Sequence, residues 1–201
     1  MTVYPGVSRE TAARLESFAA LVRTWSPTIN LVSPATLVDL ERRHILDSLQ
    51  VLALVDQKRG HWVDLGTGGG FPGLVCCIAA AERAPDLRFT FVESDRRKAA
   101  FLVTTLAKLD LSAEVEARRI EALPPLDADI LTARALAPLP VLLGHAERHL
   151  RADGYAIFPK GARHAAEIDA ARASWRFTCT VVQSTTDPSG ALLKIGDIAR
   201  A

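Results

Sequence analysis

The chain has few cysteines, and their spacing argues against a metal site. Cys76, Cys77 and Cys179 are too few and too unevenly spaced for zinc, and two adjacent cysteines on a helix point in different directions. Such residues indicate buried thiols in a reducing cytosol. We therefore expect a fold that needs neither disulfides nor a metal.

Long apolar segments are also missing. The longest uninterrupted apolar run, from Leu74 to Ala81, is far shorter than the roughly 20 residues of a membrane span. The start of the sequence lacks the charged and then apolar pattern of a secretion signal. With 201 residues, 49% of them hydrophobic, the sequence has the size of one globular domain. We expect a cytoplasmic protein without a membrane partner, and a monomer is favoured.

Excess charge of one sign is absent as well. The net charge is +1, so no overall basic field indicates a nucleic-acid partner. The cations are nevertheless grouped, which is typical of solvated faces but also of a local basic surface. They occur as Arg42-Arg43, Arg96-Arg97-Lys98 and Arg118-Arg119, followed by Arg134, Lys160 and Arg163.

A glycine-rich bend between an apolar strand and an apolar helix is the most informative feature. Two registers of its glycines compete. Gly68, Gly70 and Gly73 have the G-x-G-x-x-G spacing of dinucleotide sites, in which backbone N–H groups face a pyrophosphate. Read from the strand, the segment from Asp64 to Gly68 is similar to the first motif of S-adenosylmethionine-dependent methyltransferases.

We favour the second register for two reasons. Pro72 lies inside the would-be pyrophosphate cradle and has no N–H to donate. The Asp64 carboxylate would repel a pyrophosphate, whereas it would attract a sulfonium or ammonium group. We therefore expect Asp64 to favour a cationic ligand.

The chain alternates between strands and helices after two N-terminal helices. Helical periodicity covers residues 8–23 and 34–55. Predicted strands then lie at 61–65, 88–93, 113–118, 128–133 and 154–159, and predicted helices at 72–82, 95–109, 138–150 and 162–173.

The C-terminal region differs from this alternation. Two β-rich runs, 175–185 and 191–198, are joined by the turn sequence at 187–190 and suit an antiparallel hairpin. We predict an α/β fold: a doubly wound, mainly parallel sheet of class I methyltransferase type with an antiparallel C-terminal strand. Residues 1–57 would be a helical extension and residues 58–201 the Rossmann-like cofactor-binding core of one domain.

Ligands in such sheets bind beyond the carboxyl ends of the strands. Glu93 closes the second strand, where a carboxylate can accept both ribose hydroxyls of an adenosine. Arg118 to Glu121 follow the third strand and could meet the adenine ring. Arg134 follows the fourth, where its guanidinium could pair with the cofactor's carboxylate or with Asp64. Lys160 adds a charge at the fifth, facing a phosphate or solvent.

Together these segments resemble one family, the bacterial ribosomal RNA small-subunit methyltransferase G family, also called glucose-inhibited division protein B. The resemblance covers nearly the whole chain and is specific only in combination. It includes Asn30-Leu-Val-Ser33, Arg43-His44-Ile-Leu-Asp47-Ser48-Leu49, the bend from Val63 to Gly73, Glu93 to Leu102, Thr132-Ala-Arg-Ala135 and Lys160-Gly161.

The resemblance implies a 16S ribosomal RNA or small-ribosomal-subunit substrate, methylation at guanine N7, and S-adenosylmethionine as cofactor. It implies cofactor contacts at Gly66, Phe71, Ile120, Glu121 and Arg134, with Gly68 and Glu93 supporting them. His44 and Asp47 belong to a motif of the family and share one helix face. A hydrogen bond that locks the helix and a role toward substrate are both open for them.

The expected chemistry needs no dedicated catalytic residue, and the sequence assigns none. Guanine N7 carries an unprotonated lone pair, so alignment and desolvation suffice. No Asn-Pro-Pro-Tyr-type segment is present, and neither Cys76 nor Cys77 lies in a loop suited to covalent attack. RNA phosphates are expected to meet Arg96, Arg97, Lys98 and Lys160. The alternatives are an NAD(P)-dependent oxidoreductase and a non-catalytic RNA-binding ribosome-assembly factor.

Overall fold

The structure is a computed structural model that describes Tyr4 and residues 6–201. Helices and strands alternate along most of it. In chain order they are α1 (Arg9–Ile29), α2 (Pro34–Leu37), a π-helical segment (Glu41–Leu46) that continues into α3 (Asp47–Leu52), β1 (Arg59–Leu65), α4 (Gly73–Arg83), β2 (Asp86–Val92), α5 (Arg96–Lys108), β3 (Glu114–Glu116), a 3-10 turn (Ile120–Ala122), β4 (Ala128–Thr132), α6 (Leu139–His149), β5 (Leu150–Lys160), α7 (His164–Arg172), β6 (Trp175–Gln183) and β7 (Ala191–Arg200).

The seven strands of the described residues form one sheet in the order β3-β2-β1-β4-β5-β7-β6. The pairs from β3 to β5 are parallel, and β7 runs antiparallel to both of its neighbours, β5 and β6. The predicted α/β class, with a mainly parallel sheet and a reversed C-terminal strand, is therefore confirmed. The strand order reverses its direction of growth between β1 and β4, and in such sheets ligands bind at that point.

The N-terminal helices share their core with the sheet. α1 buries Leu15, Phe18, Ala19 and Val22, the apolar positions that its periodicity predicts. The ring of Phe18 lies 5.3 Å from the ring of Phe71 in the glycine bend. The helix continues beyond the predicted residue 23 to Ile29. Through the contact of Phe18 with Phe71, α1 packs against the glycine bend.

The predicted single helix 34–55 is wrong in its middle. Leu40 and Ile45 are both fully buried, but residues five apart lie on different faces of an α-helix because one turn has 3.6 residues. The backbone from Glu41 to Leu46 adopts i→i+5 hydrogen bonding instead. This wider turn places both side chains toward the core, and it interrupts the predicted helix.

Asp64 connects three elements at the end of β1. Its carboxylate is fully buried, and Oδ2 accepts a 2.9 Å hydrogen bond from the Gly73 backbone N–H at the start of α4. Oδ1 accepts a 2.7 Å bond from the Thr132 hydroxyl at the end of β4, and that hydroxyl accepts one from Trp62 Nε1. A carboxylate at a helix N-terminus is also favoured by the helix dipole.

The three cysteines are free thiols that differ in burial. Cys76 and Cys77 are buried free thiols, whereas Cys179 is partly exposed. Within Tyr4 and residues 6–201, no group of three His, Cys, Asp or Glu side chains could hold a metal ion. No helix in that part of the chain is long and apolar enough to cross a membrane.

Gly73→Ala tests the contact between Asp64 and α4. An added Cβ would lie 2.5 Å from Asp64 Oδ2 and 2.6 Å from Asp64 Cβ, both in a closed core. We expect the variant to lose about 2 to 3 kcal/mol of unfolding free energy, measured by urea denaturation.

Gly144→Ala is the matched control within α6. Its added Cβ would approach nothing closer than Trp175 Cζ2 at 3.7 Å, an ordinary contact. Removing a glycine from a helix interior is expected to raise the unfolding free energy by about 1 kcal/mol. Equal effects of the two substitutions would contradict the proposed role of the close approach at Gly73.

Candidate functional site

A cleft opens beyond the carboxyl ends of β1, β4 and β5. Its volume is about 730 Å3, within the range of pockets that hold a nucleoside-sized ligand. Six of the predicted site residues line it, namely Gly66, Gly68, Phe71, Lys98, Arg134 and Lys160. Five others lie outside its lining, namely Glu93, Arg96, Arg97, Ile120 and Glu121.

The glycine bend leaves space for a ligand at one position. Gly68 has a φ of +57°, and a Cβ built on it would meet only the Gly66 carbonyl oxygen, at 3.9 Å. The surface above Gly68 is therefore open to the cleft. Gly66 is instead covered by Leu136, whose Cδ1 would lie 2.7 Å from a Cβ at that position. Leu136 thus forms a wall of the cleft that the sequence analysis did not identify.

The other two glycines of the dinucleotide-like spacing face the protein interior. A Cβ on Gly70 would lie 2.9 Å from the Cβ of Leu74, and one on Gly73 would meet Asp64. The Gly73 N–H is already donated to Asp64, so it is not available to a pyrophosphate. This geometry disfavours the dinucleotide register.

Asp64 is not placed for a ligand, and the expectation that it would attract a cationic one is wrong. Both carboxylate oxygens are used inside the fold, and the side chain has no exposed surface. Burial raises the pKa of Asp64 to about 6, although its hydrogen bonds to Thr132 and Gly73 act in the opposite direction. The residue shapes the cleft from behind the bend.

Glu93 is held next to the bend. Its Oε2 accepts a 2.9 Å hydrogen bond from the Gly68 N–H, and its Oε1 accepts one of 2.7 Å from the Asp95 N–H. Each carboxylate oxygen can accept more than one hydrogen bond, so these contacts leave acceptor capacity. The contact of Glu93 with the ribose of a cofactor stays a prediction. The Glu93 carboxylate is bonded to Gly68, above which the cleft is open.

Arg134 lies in the cleft wall within a network of polar groups. Its Nη2 donates to His44 Nδ1 at 2.7 Å, and its Nη1 donates at 3.2 Å both to Asp47 Oδ2 and to the Arg43 carbonyl. The predicted pairing with Asp64 is not observed, because Asp47 supplies the carboxylate. Asp47 comes from the N-terminal segment, which reaches the cleft through the π-helical turn.

His44 must be the acceptor in its bond with Arg134, since a guanidinium only donates. Its proton is therefore assigned to Nε2. Burial, together with the nearby charges of Arg134 and Arg43, lowers the pKa of His44 to about 3, so the ring is neutral at physiological pH. His44 and Asp47 both bind Arg134, and a role of either residue toward substrate stays a prediction.

Phe71 forms the apolar floor beneath Arg134. The ring centroid lies 5.3 Å from Arg134 Cζ and 4.9 Å from the His44 ring. The side chain is buried, with Phe18 on its far side. A guanidinium above an aromatic face is stabilised by the ring quadrupole, so this contact helps to fix the height of Arg134 in the cleft.

Ile120 and Glu121 form the 3-10 turn after β3, at the same edge of the sheet. Ile120 is buried, whereas 70% of the Glu121 side chain is exposed, 4.0 Å from His145 Nε2. Their predicted contact with the cofactor stays a prediction.

The predicted RNA-binding cations differ in how they are used. Arg97 pairs with Asp95, the N-cap of α5, at 3.0 Å. The Lys160 ammonium donates to the Ala137 carbonyl and to Glu167, both at 2.8 Å, and is neutralised within the fold. Arg96 and Lys98 have no side-chain partner among the described residues.

Two polar groups of the cleft escaped the sequence analysis. Gln50 and Thr186 both bind Asp47 Oδ1, at 2.9 and 2.6 Å. Thr186 lies 139 positions beyond Asp47 in the chain, and no local pattern connects the two. The i, i+3 spacing of Asp47 and Gln50 on one helix was the only available signal.

The chain is similar to known proteins at two levels. A family profile described as rRNA small subunit methyltransferase G matches residues 11–191. A Ruegeria pomeroyi protein named Ribosomal RNA small subunit methyltransferase G is 53% identical over 194 residues, which is 96% of this chain and 95% of that protein. The protein of that name from Paracoccus denitrificans is 47% identical, covering 97% and 99% of the two chains.

Solved structures of lower identity share the fold. A SAM-dependent methyltransferase from Aquifex aeolicus superposes with a TM-score of 0.58 at 16% identity, covering 84% of this chain and 98% of that one. The ribosomal protein L11 methylase of Lactobacillus delbrueckii subsp. bulgaricus gives a TM-score of 0.60 at 18% identity, with 77% and 78% covered. At these identities the likeness concerns the fold alone.

The raised pKa of Asp64 gives a pH dependence that Asp64→Asn isolates. The folded protein keeps the Asp64 proton to a higher pH than the unfolded chain does. The protonated Asp64 carboxyl therefore contributes to the unfolding free energy. This contribution is fully present below the unfolded pKa of 3.8 and is lost as the pH rises through about 6.

We expect the unfolding free energy of the wild type to fall, relative to Asp64→Asn, by about 1 kcal/mol between about pH 5 and pH 7. Asparagine keeps the shape of the side chain and an oxygen that accepts from Gly73. Its Nδ2 replaces the acceptor of the Thr132 hydroxyl, which lowers the stability of the variant by an amount that does not depend on pH. Urea denaturation at both pH values measures the difference. A gap between the two proteins that does not change with pH would show that Asp64 ionises normally.

Proposed function

The chain belongs to the ribosomal RNA small subunit methyltransferase G family, and from this we propose that it transfers a methyl group from S-adenosylmethionine to N7 of a guanine in 16S ribosomal RNA. The observation that carries the proposal is the cleft. Its lining includes Gly68 of the glycine bend and Arg134, whose guanidinium has N–H groups that are not used within the described part of the fold. The family match covers residues 11–191.

The residues of the cleft fit this cofactor. Gly68 offers open space, Phe71 an apolar floor and Arg134 a cation for the cofactor's carboxylate. We assign cofactor contacts to Gly66, Gly68, Phe71, Glu93, Ile120, Glu121 and Arg134. When bound, the sulfonium of the cofactor supplies an electrophilic methyl group.

The chain's own residues bind and orient rather than move protons. Guanine N7 has a free lone pair at neutral pH, so its methylation needs no general base. Exclusion of water and alignment of the two reactants are then the main contributions of the protein. Leu136 and Phe71 supply apolar surface in the cleft for this purpose.

Covalent methylation of a pyrimidine carbon is not supported by the cysteines. Such a reaction needs a thiolate nucleophile. Burial raises the pKa of Cys77 to about 12, and Cys76 has no exposed surface, with its Sγ 3.5 Å from the Ser48 carbonyl. Both thiols belong to the core of α4.

RNA phosphates are proposed to meet the first turn of α5 and the loop before α7. Lys98 and Arg163 both line the cleft, and Arg96 is exposed in the same first turn of α5 as Lys98. Arg97 and Lys160 contribute less, because Asp95 and Glu167 already balance their charges.

We further propose that the enzyme is monomeric and acts in the cytoplasm, where ribosomal subunits are assembled. Residues 1–57 are taken as an extension of a single domain whose catalytic core is 58–201. The shared hydrophobic core of α1, α4 and the sheet supports treating the two parts as one domain.

Cofactor binding and methyl transfer are tested together with purified protein. We expect S-adenosylhomocysteine, but not NAD, to raise the thermal unfolding temperature. We also expect labelled methyl groups to enter 16S RNA in small subunits from cells that lack the gene, at a guanine that is then mapped as N7-methylguanosine. Stabilisation by NAD alone would favour an oxidoreductase, and RNA binding without incorporation would favour an assembly factor.

The RNA surface is tested by the double substitution Arg96→Gln, Lys98→Gln. Loss of two phosphate contacts should weaken binding to small-subunit RNA and reduce the slope of log affinity against log salt by about 1.4 to 1.8. Lys108→Gln is the control, because it removes a positive charge from the opposite end of the same helix, α5. An equal change in slope for the control would contradict the assignment, as would an unchanged slope for the double variant.

A further inference from the structure

We propose that His44 and Asp47 are positioning residues that hold Arg134 as a preformed receptor for the carboxylate at the amino-acid end of the cofactor. The inference rests on the proposed function and extends it to two residues that the family resemblance did not assign to the cofactor. It follows from how the donors of Arg134 are used.

Arg134 has more donors than its partners occupy. A guanidinium carries five N–H groups, and a bidentate bond to a carboxylate takes two of them. The three contacts to His44, Asp47 and the Arg43 carbonyl use at most three. At least two N–H groups are left without a partner among the described residues, which is the number that a carboxylate needs.

The position of Arg134 also suits this role. Only 17% of its side chain is exposed, and it lines the same cleft as Gly66 and Gly68. Arg134 Cζ lies over the Phe71 ring, which covers the guanidinium on that side. A long side chain held on several sides loses less rotamer freedom when a ligand binds.

His44 contributes by being uncharged. As a neutral ring it accepts from Nη2 and adds no positive charge beside Arg134. A protonated imidazole would turn the acceptor into a donor and repel the guanidinium. The low pKa of His44, to which burial contributes most, keeps the acceptor present at physiological pH.

Asp47 is held in place by the far end of the chain. Its Oδ1 accepts from Thr186 Oγ1 and Gln50 Nε2, and Gln50 Oε1 accepts from the Thr185 N–H. These bonds fix the carboxylate so that Oδ2 meets Arg134. The connection between β6 and β7 thereby supports the guanidinium.

The π-helical turn explains how both residues reach the same arginine. It ends at Leu46, between His44 and Asp47, and it lets the backbone bury Ile45 while His44 and Asp47 line the cleft. Such turns recur at functional sites in helices. A straight α-helix over 34–55 would not bury both Leu40 and Ile45 on one side.

Two ligands that differ at the amino-acid end separate positioning from general support. S-adenosylhomocysteine carries the carboxylate, and 5′-methylthioadenosine lacks the whole amino-acid end. We expect His44→Leu to weaken S-adenosylhomocysteine binding by about 10- to 100-fold, the value of a displaced charge-assisted contact, and methylthioadenosine binding by less than about 3-fold. Isothermal titration calorimetry gives both dissociation constants.

Conservative variants complete the design. His44→Asn retains an oxygen near the position of Nδ1 and should recover most of the affinity for S-adenosylhomocysteine. Asp47→Asn should show the same selective loss as His44→Leu, and it keeps the test available if His44→Leu does not fold. His164→Leu changes a partly exposed histidine outside the cleft lining and should leave both constants unchanged.

Equal weakening of the two ligands by His44→Leu and Asp47→Asn would mean that the residues only support the fold, and it would overturn the inference. Wild-type affinity for S-adenosylhomocysteine in both variants would overturn it too. Failure of the wild-type protein to bind either ligand would instead overturn the proposed function.

Discussion

The buried carboxylate of Asp64 is the constraint on which the site depends. It joins the end of β1 to the first backbone N–H of α4 and, through Thr132, to the end of β4. A carboxylate without exposed surface is costly unless its oxygens are bonded, and here both are. The bonds bring β1, β4 and α4 together at the point where the sheet changes its direction of growth. The glycine bend and the loop between β4 and α6, which carries Arg134, therefore line one cleft.

A second constraint comes from Arg134, a cation that the fold largely buries. Its positive charge needs a nearby anion, and both oxygens of Asp64, the buried acid at the end of β1, are hydrogen-bonded to other groups. Asp47 of the N-terminal segment supplies the charge, and His44 adds a neutral acceptor. The N-terminal helices are consequently part of the cleft as well as a cover for the sheet.

Sequence patterns predicted the order of strands and helices because each depends on local periodicity. The glycine bend was recognisable for the same reason, since strand, turn and helix follow one another directly. The π-helical turn was missed, because residues five apart in a predicted α-helix give no signal until both are seen to be buried. Lys160 was expected to face a phosphate or solvent, and its pairing with Glu167 depends on the placement of α7 next to the end of β5.

The sequence by itself determined the fold class, the bend and the set of charged residues at the strand ends, all of which follow from neighbours along the chain. Only the tertiary structure decided which charges are paired inside the protein and which stay available to a ligand. The pairing of Arg134 with Asp47, 87 positions away, depends on the packing of helices against the sheet. Burial then sets the protonation state of His44 and Asp64, because the free energy of a charge depends on the groups and solvent around it.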